Sequence, residues 1–230
     1  MPRVRDVQLY DEMLEAIKTL ARAQMSQEGT SSLSLRGIAR DLGVTAPALY
    51  RYFPSRDDLI TALIVDGFTA LAHTLEAADA NHDCADYRGR FADICRAYRR
   101  FALERSVDFQ LIYGNPIPGY VAPKEVTVPT VIQVFTVFSI VFIEAFNAGK
   151  LKPLPQDRLQ PTVVAGLEQI ITRNQVPTDV PVMYGVFAAW TKIHGVVMLE
   201  LFHHLEQTVG DTALFFENEL ALLIDQLGFL

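Results

Sequence analysis

Arg36, Arg51 and Arg56 are fixed cations set among Thr45, Ala46, Ala48, Tyr50 and Tyr52, a group of small or hydrogen-bonding residues. The chemistry this set can do is recognition rather than bond making. A guanidinium donates bidentately to a guanine edge, phenol and guanidinium groups meet phosphate oxygens, and short side chains let a backbone approach base edges. Arg51 is the candidate for base contact, and Arg36 and the tyrosines for phosphate. No comparable set serves catalysis. The chain has no nucleophile elbow, Gly-rich phosphate loop or metal-ligand spacing, and His194 has no sequence-evident acid or nucleophile partner. The expectation is therefore a non-enzyme with no cofactor and no metal. His82, Asp83 and Cys84 read as loop residues, because no second cluster has the spacing of zinc ligands.

The elements that must hold these residues are legible around them. Leu35, Ile38, Ala39 and Leu42 fall at i, i+3, i+4 and i+7, one apolar face of a two-turn helix. Gly43 can take the left-handed conformation that closes a helix, with Val44 packing back onto the preceding turn. Thr45 opens a second helix. Pro47 has no N–H, so the Thr45 hydroxyl is expected to accept from the N–H of Ala48. Leu49 and Phe53 then face inward, leaving Ala46, Ala48, Tyr50, Arg51 and Tyr52 outward. Two short helices about a tight Gly turn make either an ordinary helical hairpin or a helix-turn-helix whose second helix enters a major groove.

Residues 34–59 resemble the DNA-binding signature of the TetR family of transcriptional regulators. The match runs through Leu35, Ile38, Ala39, Leu42, Gly43, Val44, Thr45, Ala48, Leu49, Tyr50, Tyr52, Phe53, Pro54, Ser55, Arg56, Asp57 and Leu59. Arg56 stands where that family usually has Lys, and either cation can meet a phosphate. Further along, Trp190, His194, Gly195, Leu199, Glu200 and Leu201, with the run over residues 109–120, resemble the C-terminal domain of a TetR subgroup named after its Trp, His and Gly. The resemblance implies an all-α chain. Residues 1–57 would form a three-helix DNA-binding domain and residues 58–230 a larger helical ligand-binding and dimerisation domain.

It also implies a homodimer on a palindromic double-stranded operator in the bacterial cytoplasm, most often a repressor, released by a hydrophobic small molecule. In that family the last two helices of each subunit build a four-helix interface, and Gly195, Phe202, Leu205, Phe215, Phe216, Leu220, Leu223 and Leu227 supply apolar surface for it. The alternative is that these residues finish a monomeric core. Gly195 inside a helix costs roughly 1 kcal/mol against Ala, and close approach of another helix would offset that.

Charge fits a single small DNA-binding face. The formal net charge is −7, yet residues 1–60 are neutral, with eight basic and eight acidic side chains, and residues 34–56 carry Arg36, Arg40, Arg51 and Arg56 against Asp41 alone. The acidic remainder should repel DNA. Only Cys84 and Cys95 occur, and the charged N-terminal segment lacks the apolar run of a secretory signal, which points to a reducing compartment.

Residues 1–6, with Arg3 and Arg5, form an expected arm, read as a frayed terminus or a minor-groove contact. A first helix with Tyr10, Leu14, Ile17 and Ala21 on one face should support the helix-turn-helix. Ser55 and Asp58 fit a capping box opening a fourth, connecting helix. Arg88, Arg90, Arg96, Arg99 and Arg100 on the fifth helix should be balanced by acidic neighbours, and Ser106 should cap a short sixth helix. Residues 126–143 contain no charged side chain, long enough to span a membrane. Pro129 and the polar side chains among them favour instead a helix wrapped by protein on every side, so no membrane partner is expected. The aromatic residues Phe109, Tyr113, Phe138, Phe142, Phe146, Phe187 and Trp190, with Met183 and His194, are the candidate lining of a small-molecule cavity; a solid core with no inducer is the alternative, and an enzyme using the apolar pocket a remoter one.

Overall fold

The computed structural model describes residues 4–230, with side chains from residue 7. Its elements are α1 (Val4–Glu28), α2 (Leu35–Asp41), α3 (Ala46–Leu49), α4 (Arg56–Asp79), α5 (Tyr87–Glu104), α6 (Ser106–Tyr113), α7 (Lys124–Asn147), α8 (Pro161–Asn174), α9 (Val180–Leu201), α10 (Glu206–Val209) and α11 (Thr212–Leu227), with a 3-10 turn at Gln156–Arg158. Among the described residues the extended structure is one antiparallel bridge, Leu151 to Phe229. The all-α expectation holds. The arm with Arg3 and Arg5 lies outside the described residues and side chains, and α1 already begins at Val4.

Two compact units divide the chain: residues 1–70 with 105–131, and residues 71–104 with 132–230. In the first, Ile17, Ala21 and Met25 of α1 are buried together with Leu35, Ile38 and Ala39 of α2, Leu49, Phe53, and Leu59, Ile60 and Leu63 of α4. Charge ties α1 to α4 and α6. Arg22 Nε donates to Asp108 Oδ1 at 2.7 Å and its Nη2 reaches Asp66 Oδ2 at 3.3 Å, while Lys18 Nζ stands 2.9 Å from Asp66 Oδ2. Burial opposes charge on Arg22 and Lys18. The carboxylates outweigh it, and both pKa values are raised. The buried Asp108 explains the placement of α6, which packs on α4 where Gly67 leaves room for Ile112.

The second unit is built on an aromatic core. Phe91 of α5 contacts Phe142 of α7 edge-on at 5.3 Å and stacks with Phe229 at 5.6 Å, and Tyr98 meets Phe138 at 5.9 Å. Four of the five α5 arginines, Arg88, Arg90, Arg96 and Arg99, meet acidic partners as expected. Arg90 is buried between Asp79 (2.7 Å) and Glu144 (2.6 Å), Arg96 forks onto Glu217, and Arg99 onto Glu200. The hydrogen bonds from Arg96 hold Glu217 below the usual carboxylate range.

Two expectations need correction, the cap of α6 and the covering of α7. Arg105, rather than Ser106, is the N-cap of α6, and Ser106 is its first helical residue; no side-chain bond caps that end. α9 ends at Leu201, because His203 turns to a positive φ of 60°. Helix α7 is not wrapped on all sides: Ile132, Gln133, Thr136 and Ile140, spaced at helical intervals, are exposed. Absence of charge does not reveal which side of a helix is covered, since β-branched residues serve either. Among the described residues three helices, α4, α7 and α9, are long and apolar enough to cross a membrane by length and composition alone.

Candidate functional site

The candidate nucleic-acid surface begins at Ser34, whose hydroxyl accepts from the N–H of Gly37 at 3.2 Å and caps α2. Gln24 of α1 braces the same corner, its Oε1 accepting from the N–H of Ser34 at 3.1 Å. The helix closes as Gly43 (φ +68°) turns left-handed: its N–H donates to Arg40 O and that of Val44 to Ala39 O, both at 3.0 Å. That pairing is the double bond of a Schellman end. Helix α3 is a single α-turn, continued through Phe53 by tighter bonds such as Tyr52 N–H to Leu49 O at 2.9 Å. The Thr45 hydroxyl makes no capping bond. The N–H of Ala48 instead reaches the Thr45 carbonyl at 3.0 Å, because the turn is tight enough for the backbone to satisfy itself.

Leu49 and Phe53 are buried, anchoring this segment. Arg36, Thr45, Tyr50 and Arg51 are exposed, and Ala46 and Ala48 half-buried. Tyr52 is also half-buried, its ring stacked on Tyr10 of α1 with centroids 4.8 Å apart. Arg56 donates from Nη2 to the Ser31 carbonyl at 2.9 Å, so this guanidinium ties the start of α4 to the α1–α2 loop. The bond to Ser31 could not be read from spacing, since it joins residues 25 apart. Ser55 caps α4 as expected, the N–H of Asp58 donating to Ser55 Oγ at 3.1 Å, but the Asp58 carboxylate accepts from that hydroxyl at 2.7 Å, so the pair makes half of a capping box.

The candidate ligand residues fall into both compact units. Phe109 is fully buried in the first, its ring 5.2 Å from that of Tyr113. In the second, Phe138, Phe142 and Met183 are buried, while Phe146, Phe187, Trp190 and His194 are half-buried. Trp190 stacks on His194 at 5.0 Å, and Phe135 contacts Trp190 at 5.1 Å and Phe187 at 5.3 Å. His194 Nδ1 shares a 2.8 Å hydrogen bond with Tyr98 Oη, and burial pushes the imidazole below its ordinary pKa. A cavity of about 270 Å³ opens elsewhere in this unit, where Phe142, Gly185 and Val182 meet Leu151, Pro153 and Leu154 on one side and Leu223 and Leu227 on the other. Tyr184, Lys192 and Gln226 are its polar residues, and of the nine candidates it shares only Phe142.

Of the residues expected at a subunit interface, Phe216, Leu220 and Leu223 are buried in the protomer's own core. Their α11 face points inward, and a helix apolar on both sides cannot be phased from sequence. Leu205, Phe215 and Leu227 are half-buried and Phe202 is exposed. The outward stripe on α9 consists of Ala188, Thr191, Gly195 and Leu199, continued by Phe202 just past its end; on α11 it is Leu214, Asn218, Ala221 and Leu222. Leu199, Leu214 and Leu222 are exposed apolar side chains outside the expected set, Leu214 at 69%. A Cβ built on Gly195 meets nothing within 4 Å, so no helix of this protomer closes on that glycine.

Cys84 and Cys95 are both free thiols, the second buried, with its pKa pushed well up by desolvation. Among the described residues no group of three or more His, Cys, Asp or Glu could hold a metal ion.

Comparison with known proteins agrees with the architecture. Residues 17–63 match the family model for bacterial regulatory proteins of the tetR family, and residues 91–223 that for a tetracyclin repressor-like C-terminal domain. The HTH-type transcriptional regulators Rv1816 of Mycobacterium tuberculosis and Mb1846 of Mycobacterium bovis are each 32% identical over 215 residues, covering 93% of this chain and 92% of the relative. The crystal structure of SCO4313 superposes with a TM-score of 0.78 at 32% identity, over 98% of this chain and 100% of that one. These relatives are regulators, a non-enzymatic class. With its helix-turn-helix, its helical C-terminal region and relatives spanning nearly its whole length, the chain belongs to the TetR family of transcriptional regulators.

Proposed function

We propose that this regulator binds a palindromic DNA operator as a homodimer in the bacterial cytoplasm, represses transcription, and is released by a small hydrophobic molecule bound in the helical region beyond residue 57. The observation that carries the reading is that Arg36 of α2 and Thr45, Tyr50 and Arg51 of the following segment are exposed, while Leu49 and Phe53 of that segment are buried and anchor it. Tyr10 fixes Tyr52, and Arg56 fixes the loop behind, so the reading segment reaches DNA with little left to order. Arg51 reads a base edge; Arg36 and Tyr50 meet phosphates; Ala46 and Ala48 allow close approach.

Dimerisation is supported by the outward apolar stripes of α9 and α11 and by the open space over Gly195. A two-fold protein matches a two-fold site. Release follows if the ligand favours a conformation whose two reading segments no longer fit successive grooves, which requires tighter binding to that state. The subgroup with the Trp190, His194 and Gly195 pattern is the proposed placement within the family, with the Tyr98–His194 bond and the Trp190 stack giving those residues a packing role. The test is a fluorescence titration of the intact protein against the inverted repeat selected from random DNA. Saturation at one dimer per repeat, with affinity falling steeply as salt rises, supports the reading; equal affinity for scrambled DNA defeats it.

A further inference from the structure

The cavity of about 270 Å³ belongs neither to the DNA face nor to the expected aromatic site. Its floor is set by Gly185, where a Cβ would stand 3.2 Å from Phe142 Cε1. The bare glycine lets that ring lie against α9, and the close packing offsets the weaker helix propensity of Gly. One wall is held in place by backbone pairing. The N–H of Lys152 donates to Gly228 O and that of Leu230 to Lys150 O, both at 2.9 Å, while Phe229 is buried against Phe91 and Phe142. Arg88 donates to the Phe229 carbonyl at 3.0 Å and locks the bridge. A wall fixed this way, beside a cavity that the surrounding side chains leave open, is a preorganised site.

We propose that this cavity is the effector site, and that it takes a small uncharged molecule, about one ring in size, with a hydroxyl or carbonyl oxygen that accepts from Lys192 Nζ. Size follows from the volume, which lies at the small end of ligand pockets, roughly 300 Å³. Neutrality follows from the charges. Lys192 is the one cation lining the cavity, and Glu219 stands 3.1 Å from its Nζ. An anion would therefore bring uncompensated charge into an apolar space. A neutral oxygen needs only one of the ammonium's remaining N–H donors. Tyr184 and Gln226 offer further hydrogen bonds.

The site has a route to output. Ala188 and Lys192 line the cavity and, with Gly195 and Leu199, fall at i, i+4, i+7 and i+11 along α9. A ligand seated against the first two presses on the helix that carries the proposed pairing stripe. This step rests on the homodimer reading above, whereas binding itself does not.

The test uses the full-length protein, with 4-fluorophenol as neutral probe and 4-fluorobenzoate as its anionic counterpart, followed by fluorine NMR. The expected result is saturable binding of the phenol, with the benzoate weaker by about tenfold or more, the scale of one charged-group interaction. Ala188→Phe and, at the exposed rim, Leu154→Trp should each abolish saturable binding while the melting transition stays cooperative. Lys192→Met should weaken the phenol about tenfold. No saturable binding to wild type, unchanged binding in both filling variants, or tighter binding of the benzoate would overturn the assignment. Operator titration with and without the phenol is read separately: DNA binding without phenol binding removes the site and leaves the regulator, whereas phenol binding without release from DNA keeps the site and removes its regulatory role.

Discussion

Gly195 offers a perturbation whose two effects have opposite signs. In the protomer an added Cβ meets nothing within 4 Å. Gly195→Ala should therefore stabilise the isolated fold by roughly 0.5–1 kcal/mol through helix propensity alone. In a homodimer paired through the α9 stripe, the same methyl group enters the interface twice. Gly195→Glu sharpens the contrast. It places two symmetry-related charges in an apolar contact, and at about 3 kcal/mol for each uncompensated charge the dimer loses on the order of 6 kcal/mol, more than ten-thousand-fold in Kd. The protomer tolerates the substitution, because the side chain has solvent to occupy. The assay pairs sedimentation across a dilution series with urea unfolding at a concentration where the variant is monomeric. The expected outcome is a monomer that unfolds cooperatively. A Gly195→Glu dimer as tight as wild type would refute the α9 stripe as the pairing surface, and an unfolded variant would refute the claim that the position is open in the protomer.

Arg51→Ala should relax preference at one operator position at a cost of about 1–3 kcal/mol, whereas Arg36→Ala should weaken all sequences alike and lower the salt slope by about one; a matrix of single-base operator variants at several salt concentrations separates them. Arg22→Met leaves the buried Asp108 without its 2.7 Å partner and should destabilise by about 3 kcal/mol, with Arg22→Met/Asp108→Leu recovering most of the loss in denaturant unfolding. His82 gives the pH dependence. The hydrogen bond to Asp93 at 2.8 Å raises its pKa against opposing desolvation, and the charges of Asp93 and Asp86 add to the rise. A raised folded pKa means the stabilisation is fully present below the unfolded value of about 6.5 and is lost as pH rises through the folded value. Melting curves of wild type and His82→Ala should therefore differ most at acidic pH and converge above neutrality, and a gap that widens with pH would reverse the assignment.

The reading segment was legible because its determinants are local. Gly43 closes a helix whose apolar face, Leu35, Ile38 and Ala39, lies within one window, and the Schellman bonds follow from backbone geometry alone. Even there the Thr45 hydroxyl was misassigned, because a carbonyl three residues away competes for the same N–H and spacing cannot rank the two. Longer range hid more. Arg22 gave no sign that its partner would be Asp108, 86 residues on, nor Leu151 that it would pair with Phe229. Phase was the other loss: α11 carries leucines and phenylalanines on both faces, so spacing does not show that the protomer buries Phe216, Leu220 and Leu223 and leaves Leu214 and Leu222 exposed. The same ambiguity made α7 look enclosed when Ile132 and Ile140 are exposed. The cavity beside Gly185 escaped because four separated segments make its walls.

The central claim is that residues 45–52 read DNA as a pair. Selection of bound fragments from random DNA with the intact protein tests it most directly. The account predicts enrichment of an inverted repeat whose half-sites lie about one helical turn, or a multiple of it, apart, and loss of that enrichment with Gly195→Glu. Enrichment of a lone half-site that survives the Gly195 substitution, or no enrichment at all, would contradict it.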